Sequence, residues 1–330
     1  MKIAIIGAGA WGTALAITAR RAGCSVLLWA FETEVAESIA SAHENRLYLP
    51  GVTLDPEIRA TGNIADAAEV DIILLAAPAQ YLRCTIGPLA GRVPSSTPLV
   101  ICSKGIEQET LSLMSDAISS LFADNPVMIL SGPTFATDVA AGLPTAVTLA
   151  AHDITKAQQV ADTLSSECFR PYSGDDVVGP QIGGAIKNVL AIACGIAEGR
   201  GFGDNARAAL ITRGLAELTR LCVAKGGRAE TMMGLSGMGD LVLTCTGKQS
   251  RNYSLGVALG EGNTLASILR ERNSIAEGVY TASAAVALAA KLNVEMPITA
   301  AVDALLNRGA EIDTVIDTLL ARPLRLEGDK

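Results

Sequence analysis

The sequence has little histidine, little aromatic character and little charge. Only two of its 330 residues are histidine, while aromatic residues make up 4% and charged residues 18% of the chain. Two histidines are too few for a histidine-rich metal site, so we expect no bound metal and an acid–base catalyst of another residue type. Because 49% of the residues are hydrophobic, the chain is expected to form packed cores rather than a disordered or fibrous structure.

Positive charge is also scarce. The chain has 26 Lys and Arg against 34 Asp and Glu, a formal net charge of -8. An acidic chain is repelled by nucleic acid and by anionic lipid, so neither is expected as a main partner. The charge is unevenly divided: residues 1–180 carry a net charge of -9 and residues 181–330 a net charge of +1. The second part is therefore the better place for an anionic substrate.

The sequence contains no CxxC pair. Its seven cysteines are widely spaced and several stand in apolar runs, which favours reduced, buried thiols over a disulfide framework or a zinc site. The first expected strand begins at Lys2, so we expect no signal peptide. No apolar run approaches the ~18 residues that span a bilayer. We therefore expect a cytoplasmic protein without stable membrane insertion.

Proline becomes rare in the second part of the chain. Eleven of the 13 prolines lie at or before Pro180, and proline is excluded from helix interiors, so longer helices are expected after that point. Before it, apolar runs of Val, Ile and Leu alternate with helical patterns, which is typical of a parallel sheet covered on both faces. The expected strands are 2–6, 25–29, 71–76, 99–102, 127–130, 145–149 and 169–172.

The predicted fold class is therefore α/β. An N-terminal domain with a doubly wound, Rossmann-like parallel sheet is expected over residues 1–180, and an all-α domain over residues 181–330. The helices expected in the second domain are 185–198, 205–226, 253–261, 264–270, 281–292 and 298–306.

A glycine-rich turn follows the first expected strand. It reads Gly7-Ala8-Gly9-Ala10-Trp11-Gly12 and opens a helix expected over residues 10–22. In a GxGxxG turn, the first glycine permits the tight turn, the second lets a pyrophosphate approach the backbone, and the third lets the helix pack on the sheet. Unpaired N–H groups at the helix start favour the anion. The turn therefore predicts dinucleotide binding.

The segment after the second strand bears on the choice between NAD and NADP. It reads Trp29-Ala30-Phe31-Glu32, which places Glu32 twenty residues beyond Gly12. A carboxylate here accepts a hydrogen bond from the ribose 2′-OH, whereas an arginine would bind a 2′-phosphate. The window contains no arginine, so the residues taken alone favour NAD.

Lys187 is the only charged residue between Pro180 and Glu198. Its helical neighbours Leu190, Ala191 and Cys194 are apolar, so it either extends from a helix end to water or is desolvated. Desolvation would bring a lysine toward the range useful for acid–base chemistry. Both interpretations stay open from the pattern alone. The adjacent Asn188 is a natural orienting partner.

Other polar groups stand where strands or loops end. Lys104 follows the strand 99–102, at the end of a parallel sheet that faces ligands, although a solvated loop lysine has the same appearance. A second glycine-rich loop, 234–239, presents Asp240. Ser250, Arg251 and Asn252 begin an expected helix, and hydroxyl, guanidinium and amide groups at a helix start suit a phosphate. The alternative is an ordinary cap beside a surface arginine.

Seven motifs occur in a fixed order along the chain: GAGAWGTALA, CSKGIE, SGPTFA, GGAIKNVLAI, ARAALITRGLAE, GLSGMGDLVLTCT and QSRN. Together they closely resemble the bacterial NAD(P)-dependent glycerol-3-phosphate dehydrogenases, over essentially the whole chain to about residue 320. The resemblance implies interconversion of dihydroxyacetone phosphate and sn-glycerol 3-phosphate, which supplies the glycerol backbone of phospholipids.

The resemblance also implies site residues, with Lys187 as the acid–base group. The implied substrate-binding residues are Lys104, Gly132, Thr134, Lys187, Asp240, Ser250, Arg251 and Asn252. The implied cofactor-binding residues, added to Gly7, Gly9 and Gly12, are Ala10, Trp11, Phe31, Lys104, Ala136, Arg251, Ile275 and Glu277.

Two positions depart from the family pattern. Ala10 stands where many members carry serine, and Phe31 where arginine or histidine is common. These two positions therefore do not predict specific binding of a 2′-phosphate, and the cofactor is expected to be NAD or NADP, without a choice between them. Ala- and Leu-rich helices within 205–225 and 281–306 predict a homodimer.

Two other functions fit part of the sequence. A 3-hydroxyacid or ketopantoate reductase would also use a lysine on a helix, but its substrate is a carboxylate, which gives no role to the cluster Ser250–Arg251–Asn252. A non-catalytic dinucleotide-sensing module would need no desolvated Lys187.

Overall fold

The computed structural model describes residues 1–270 and 277–323. These residues form two compact units. Unit 1 comprises Met1–Lys104 and Ser112–Pro180, and unit 2 comprises Gly105–Leu111 and the described residues of Gln181–Lys330. The short segment Gly105–Leu111 thus belongs to unit 2 although it stands within the first half of the sequence.

Unit 1 is built on an eight-stranded sheet in the order β10-β9-β8-β7-β6-β1-β2-β5, beside a two-stranded ribbon of β3 and β4. The strands are β1 Lys2–Ile6, β2 Ser25–Trp29, β3 Glu44–Asn45, β4 Leu49–Thr53, β5 Ile58–Thr61, β6 Ile72–Leu75, β7 Leu99–Ile101, β8 Val127–Ser131, β9 Thr145–Ala151 and β10 Phe169–Gly174. All seven expected strands are present, with ends that differ by up to two residues.

Both faces of this sheet are buried, as the continuous apolar runs predict. Along β1, Ile3 and Ile5 belong to one hydrophobic cluster, whereas Ala4 and Ile6 belong to another on the opposite face. Successive strand residues point to opposite faces, so a strand covered on both sides must be apolar throughout. The helices of this unit are α1 Ala10–Arg21, α2 Thr33–Ala42, α3 Ala79–Ile86, α4 Met114–Ser119, α5 Ala136–Ala141 and α6 Ile154–Leu164.

The sheet departs from the expected parallel order at one place. β8 pairs with β9 in the antiparallel direction, whereas the other neighbouring strands of the sheet pair in parallel. Its composition did not reveal this reversal, because a strand buried on both faces has the same apolar pattern in either direction. The sheet is therefore mixed, with a mainly parallel core.

Unit 2 is helical in its described part. Its helices are α7 Gly179–Gly199, α8 Gly203–Ala224, α9 Ala229–Met232, α10 Asp240–Thr246, α11 Arg251–Gly260, α12 Leu265–Arg270, α13 Glu277–Lys291, α14 Pro297–Asn307 and α15 Ile312–Leu320. The six helices expected from the sequence are all present, while α9, α10 and α15 were not expected.

Helix α7 is long and apolar enough to cross a membrane, contrary to the expectation that no such run exists. Its most apolar 18-residue window is, however, 83% buried within the protein. The helix therefore has the burial of a core helix, and its apolar composition is explained by the packing of unit 2.

Glycines bring α7 and α11 into direct backbone contact. A Cβ atom added at Gly195 would lie 2.1 Å from the carbonyl oxygen of Tyr253, and one at Gly256 would lie 2.2 Å from the carbonyl oxygen of Ile192. No side chain larger than hydrogen fits at either position. We call the contact of Gly195 and Gly199 with Gly256 and Gly260 the glycine seam. It fixes the helix that carries Lys187 against the helix that begins after Ser250.

Candidate active site

The glycine turn of unit 1 has the geometry that its sequence predicts. Gly7 has a φ of +113°, which glycine adopts far more readily than other residues, and a Cβ there would lie 2.6 Å from the backbone nitrogen of Ala77. A Cβ at Gly12 would lie 1.8 Å from the carbonyl oxygen of Gly7. These two glycines are therefore required by packing.

The middle glycine differs from the other two. A Cβ added at Gly9 would meet no atom within 4 Å, so the backbone is open to a ligand there. Gly9 is the N-cap of α1, a 12-residue helix without an acidic residue in its first turn. The buried Nε1 of Trp11 has no hydrogen-bond partner in the structure. An open backbone, helix N–H groups and a nearby donor fit the pyrophosphate of a dinucleotide.

Phe31 and Glu32 follow the end of β2, in the segment expected to bear on the choice of cofactor. The side chain of Phe31 is 82% exposed and stands edge-on to Trp29, with ring centroids 6.4 Å apart. Glu32 is half-buried, and its Oε1 accepts a hydrogen bond of 2.8 Å from the hydroxyl of Tyr48. Burial, followed by the bond to Glu32, raises the pKa of Tyr48 to about 12. The phenol therefore stays a donor at neutral pH.

A third group of unit 1 surrounds the carbonyl oxygen of Gly132, just after β8. This oxygen accepts hydrogen bonds of 3.3 Å from Lys104 Nζ and from Thr134 Oγ1. Gly132 has a φ of +156°, and a Cβ there would lie 2.9 Å from the Cα of Val147. The structure thus brings together Lys104, Gly132 and Thr134, which lie up to 30 residues apart in sequence, and Ala136 begins helix α5 close behind them.

In unit 2, Lys187 forms an ion pair with Asp240. Lys187 Nζ is hydrogen-bonded to Asp240 Oδ1, and the side chains of the two residues are 7% and 0% exposed. Thr244 Oγ1 lies 3.3 Å from the same carboxylate oxygen and 2.6 Å from the carbonyl oxygen of Asp240. Of the two interpretations of Lys187, the structure supports the desolvated one. The carboxylate favours the protonated ammonium in a place where burial alone would favour the neutral amine.

The thiol of Cys245, beside this pair, is neutral. A hydrogen bond with Cys194 and burial raise the pKa of Cys245, whose surroundings include the charges of Lys187 and Asp240. A protonated thiol adds no competing negative charge beside the ammonium. The low-polarity surroundings therefore strengthen the interaction between Lys187 and Asp240.

Two amides continue the polar network across the seam. Asn252 Nδ2 donates a hydrogen bond of 3.0 Å to Asn188 Oδ1, and Asn252 Oδ1 accepts one of 3.2 Å from the backbone nitrogen of Gly278. Asn188 Nδ2 in turn donates to the carbonyl oxygen of Gly184. The bond to Asn252 thus holds Asn188, the neighbour of Lys187 on α7, beside the start of α11.

The start of α11 has the geometry of a capped helix. Ser250 is the N-cap, and its Oγ accepts a hydrogen bond of 3.2 Å from the backbone nitrogen of Tyr253. Ser250 and Asn252 are buried, whereas the side chain of Arg251 is exposed. The ordinary cap predicted as one alternative is thus present, and the exposed guanidinium at the positive end of the helix remains suited to an anion.

The segment before Asp240 is not a loop. Leu235–Gly239 form a π-helical turn that runs directly into α10, so Asp240 begins a helix. The turn packs closely on α7, because a Cβ at Gly183 would lie 2.1 Å from the carbonyl oxygen of Ser236. Glycine abundance suggested a loop, whereas in the structure glycines 237 and 183 permit close packing of helical segments.

Two residues that bond to candidate site residues, Thr244 in unit 2 and Tyr48 in unit 1, were not expected from the sequence. Thr244 stands four residues after Asp240, a helical spacing that would have suggested contact had α10 been expected. Tyr48 gives no sequence signal, because its bond to Glu32 depends on the path of the chain between α2 and β4. Of the two late cofactor positions, Glu277 begins α13 and Ile275 lies outside the described residues.

Comparison with known proteins identifies the family of the chain. The family model for the N-terminus of NAD-dependent glycerol-3-phosphate dehydrogenase matches residues 2–157, and the model for its C-terminus matches residues 176–317. The chain belongs to this family. It is 53% identical to glycerol-3-phosphate dehydrogenase [NAD(P)+] of Parvibaculum lavamentivorans over 326 residues, covering 99% of this chain and 98% of that protein.

Other members of the glycerol-3-phosphate dehydrogenase family are similar along the whole chain. The enzyme of the same name from Rhodospirillum rubrum is 55% identical over 327 residues, which cover 99% of this chain and 94% of that protein. Among solved structures, glycerol-3-phosphate dehydrogenase from Coxiella burnetii has a TM-score of 0.94 and 38% identity, covering 97% of this chain and 99% of that chain. The fold class expected from the sequence is confirmed, as a Rossmann-like domain followed by a helical one.

Proposed function

We propose that the protein is an NAD(P)-dependent glycerol-3-phosphate dehydrogenase. It reversibly reduces dihydroxyacetone phosphate to sn-glycerol 3-phosphate, for glycerophospholipid biosynthesis. The observation that carries this conclusion is the buried ion pair of Lys187 and Asp240, in a chain that belongs to this enzyme family. Unit 1 is the dinucleotide-binding domain, expected as residues 1–180, and unit 2 the helical substrate domain, expected as residues 181–330.

The acid–base role is assigned to Lys187. When bound, the reduced nicotinamide supplies a hydride to C2 of the ketone. The ammonium of Lys187 donates a proton to the C2 oxygen as negative charge develops there, and in the reverse direction the neutral amine accepts that proton. Asp240 stabilises the ammonium and holds its position, since Lys187 Nζ is bonded to Asp240 Oδ1.

The phosphate of the substrate is assigned to the start of α11. Arg251 supplies an exposed guanidinium there, Ser250 a hydroxyl and Asn252 an amide, next to helix N–H groups that favour an anion. Unit 1 supplies the remaining proposed substrate ligands, Lys104, Gly132 and Thr134, through the cluster around the Gly132 carbonyl. Lys104 and Arg251 are also proposed to contact the cofactor.

The cofactor is assigned to the glycine turn and the strand end that follows β2. Gly9 offers open backbone and Trp11 a buried donor, while Phe31 offers an exposed aromatic face. The other proposed cofactor residues are Gly7, Ala10, Gly12, Ala136, Ile275 and Glu277. The cofactor is NAD or NADP.

A cytoplasmic location and a homodimer complete the proposal. The burial of α7 within unit 2 supports a protein that does not insert into a membrane. Exposed apolar side chains of unit 2, such as Met233 just after α9 and Val242 on α10, support self-association. Sedimentation of the purified protein tests the second point: a single species of about 34 kDa would contradict a dimer, since the chain mass is 34.0 kDa.

The activity is tested by following the absorbance of NADH or NADPH after dihydroxyacetone phosphate is added to purified protein. We expect rapid oxidation with this substrate and little with ketopantoate or a 2-keto acid. Those carboxylates lack the phosphate that the start of α11 suits. Turnover of a keto acid without turnover of dihydroxyacetone phosphate would identify a reductase of the other class. Cofactor binding without any turnover would identify a sensing module.

A further inference from the structure

The first turn of α13 lies against one of the proposed phosphate ligands. The backbone nitrogen of Gly278 donates a hydrogen bond of 3.2 Å to Asn252 Oδ1, and a Cβ atom added at Gly278 would lie 2.7 Å from the same oxygen. Asn252 Nδ2 donates to Asn188 Oδ1, so both ends of the amide are held. An amide nitrogen carries two N–H donors, and the second can be donated to a phosphate. The direction of that donor therefore depends on where the first turn of α13 stands.

A side chain at the end of α14 bonds to this turn as well. Asn307 Nδ2 donates a hydrogen bond of 3.2 Å to the carbonyl oxygen of Val279. The carbonyl groups that lack a partner within a helix are those of its last turn, so Val279, in the first turn, does not need this bond to complete the helix. A carbonyl oxygen has two lone pairs and can accept the bond in addition. The bond therefore tethers α13 to α14 rather than satisfying an unpaired group.

The amide of Asn307 is itself held by a buried carboxylate. Asp303, one turn earlier on α14, is 1% exposed, and its Oδ1 accepts a bond of 2.9 Å from Asn307 Nδ2. Its Oδ2 accepts a bond of 2.8 Å from Arg308 Nε. Hydrogen bonds to charged groups are stronger than those between neutral groups. Since the bonds to Asp303 and to Val279 come from the same nitrogen, the Asn307 side chain is restrained in one orientation.

A third element bonds to the start of α13. Gln108 Nε2 donates a hydrogen bond of 3.2 Å to Ser283 Oγ and lies 3.5 Å from the carbonyl oxygen of Tyr280. Gln108 belongs to the segment Gly105–Leu111, which is part of unit 2 and directly follows Lys104. Side chains from α11, from α14 and from this segment thus restrain the start of α13 together.

We propose that Asn307, supported by Asp303, is a positioning residue for the phosphate of the substrate. Its bond to Val279 keeps the first turn of α13 against Asn252, and the amide of Asn252 then keeps its donor directed at the phosphate. Asn307 acts through Asn252 and needs no contact with the substrate. This inference rests on the proposed function, because the phosphate is that of dihydroxyacetone phosphate.

The first test is the kinetics of Asn307→Ala with dihydroxyacetone phosphate at saturating reduced cofactor. We expect KM to rise about three- to tenfold, the range to which one hydrogen bond corresponds, with kcat within about twofold of wild type. Asn263→Ala is the matched control, since Asn263 Nδ2 donates a bond of 3.0 Å to the carbonyl oxygen of Ala258 at the other end of α11. It should leave both constants unchanged. An unchanged KM in Asn307→Ala, or a fall in kcat alone, would overturn the proposal.

A double-mutant cycle shows whether Asn307 acts through Asn252. In the Asn252→Ala background, Asn307→Ala should raise KM by less than about twofold, because the amide that it positions is gone. The same fold increase in both backgrounds would mean that Asn307 acts by another route, and would overturn the proposal. Asn307→Asp keeps the shape of the side chain but has no N–H to donate, so it should raise KM at least as much as Asn307→Ala. A KM equal to that of the wild type in this variant would also contradict the role of the donor.

A third measurement does not depend on turnover. Hydrogen–deuterium exchange followed by mass spectrometry reports the opening of the first turn of α13 through the amide of Gly278. We expect exchange there to become about three- to tenfold faster in Asn307→Ala and in Gln108→Ala, and to stay unchanged in Asn263→Ala. If the wild type does not reduce dihydroxyacetone phosphate, the proposed function is wrong, while the exchange rates still test the tether. If the wild type does turn over and Gly278 exchanges equally fast in Asn307→Ala, the positioning role is wrong.

Discussion

Replacing Lys187 with methionine should affect stability and activity separately. The substitution Lys187→Met keeps the length of the side chain but leaves the carboxylate of Asp240, whose side chain is fully buried, without its cation. Removing one member of a buried ion pair costs about 3–5 kcal/mol, because an uncompensated charge stays in a medium of low polarity. We place the expected loss near ~3 kcal/mol, at the lower end of this range, because Thr244 Oγ1 stays 3.3 Å from the carboxylate oxygen.

A second substitution separates the two effects. In Lys187→Met/Asp240→Asn neither buried charge remains, and the amide of residue 240 keeps a hydrogen-bonding partner in Thr244. We therefore expect most of the lost stability to return, while kcat stays about 10²–10⁴-fold below wild type, the usual scale of general acid–base catalysis. Lys291→Met, at the exposed end of α13, is the matched control and should change neither quantity.

The assays are urea denaturation followed by circular dichroism, and oxidation of NADH or NADPH with dihydroxyacetone phosphate. A Lys187→Met variant as stable as the wild type would show that the pair is effectively solvated. A double variant that recovers activity together with stability would show that Lys187 acts only through packing and would refute its acid–base role.

Three further predictions concern the rest of the site. Arg251→Ala should raise the KM for dihydroxyacetone phosphate about 10–100-fold, as expected for a lost bond between charged groups, whereas the exposed Arg322→Ala should not; equal KM values would remove Arg251 from the phosphate site. Gly256→Ala should destabilise the protein by about 1–3 kcal/mol or more through overpacking at the glycine seam, as measured by urea denaturation. Gly87→Ala, where a Cβ meets no atom within 4 Å, is the control, and equal losses would deny the close contact. Because the folded-state pKa of Tyr48 is raised to about 12 from 10.0, its stabilising contribution is complete below pH 10 and is lost as the pH rises toward 12. Over that range the wild type should lose more stability than Tyr48→Phe, and parallel losses would contradict the buried phenol.

The fold was largely predictable because its main signals are local. An apolar run such as Lys2–Ile6 followed by GxGxxG fixes a strand, a turn and a helix within twenty residues. The strand Ile58–Thr61 was missed because Arg59 interrupts its apolar pattern at the edge of the sheet. Helix α15 has no buried residue, so its pattern was not matched to a core. The antiparallel pairing of β8 with β9 depends on chain direction, which side-chain polarity does not encode.

Residues of the candidate site could be singled out from the sequence one at a time, but their contacts with one another could not. Lys187 stood out because it is a single charge in an apolar helix, and Ser250 because it precedes one. Side-chain partners in the structure come from distant positions: Asp240 is 53 residues from Lys187, and Tyr48 is 16 residues from Glu32. Such pairs depend on how the elements pack, and no local pattern specifies them.

The glycine seam has a consequence for how this enzyme can change by mutation. In most cores, an enlarged side chain can be accommodated when a neighbouring side chain becomes smaller. At Gly195 and Gly256 the neighbouring atoms belong to the opposite main chain, which no substitution can shorten. Second-site suppressors of a seam mutation should therefore be absent from the facing helix. Substitutions of core residues elsewhere in unit 2 should therefore leave the distance between Lys187 and the start of α11 unchanged.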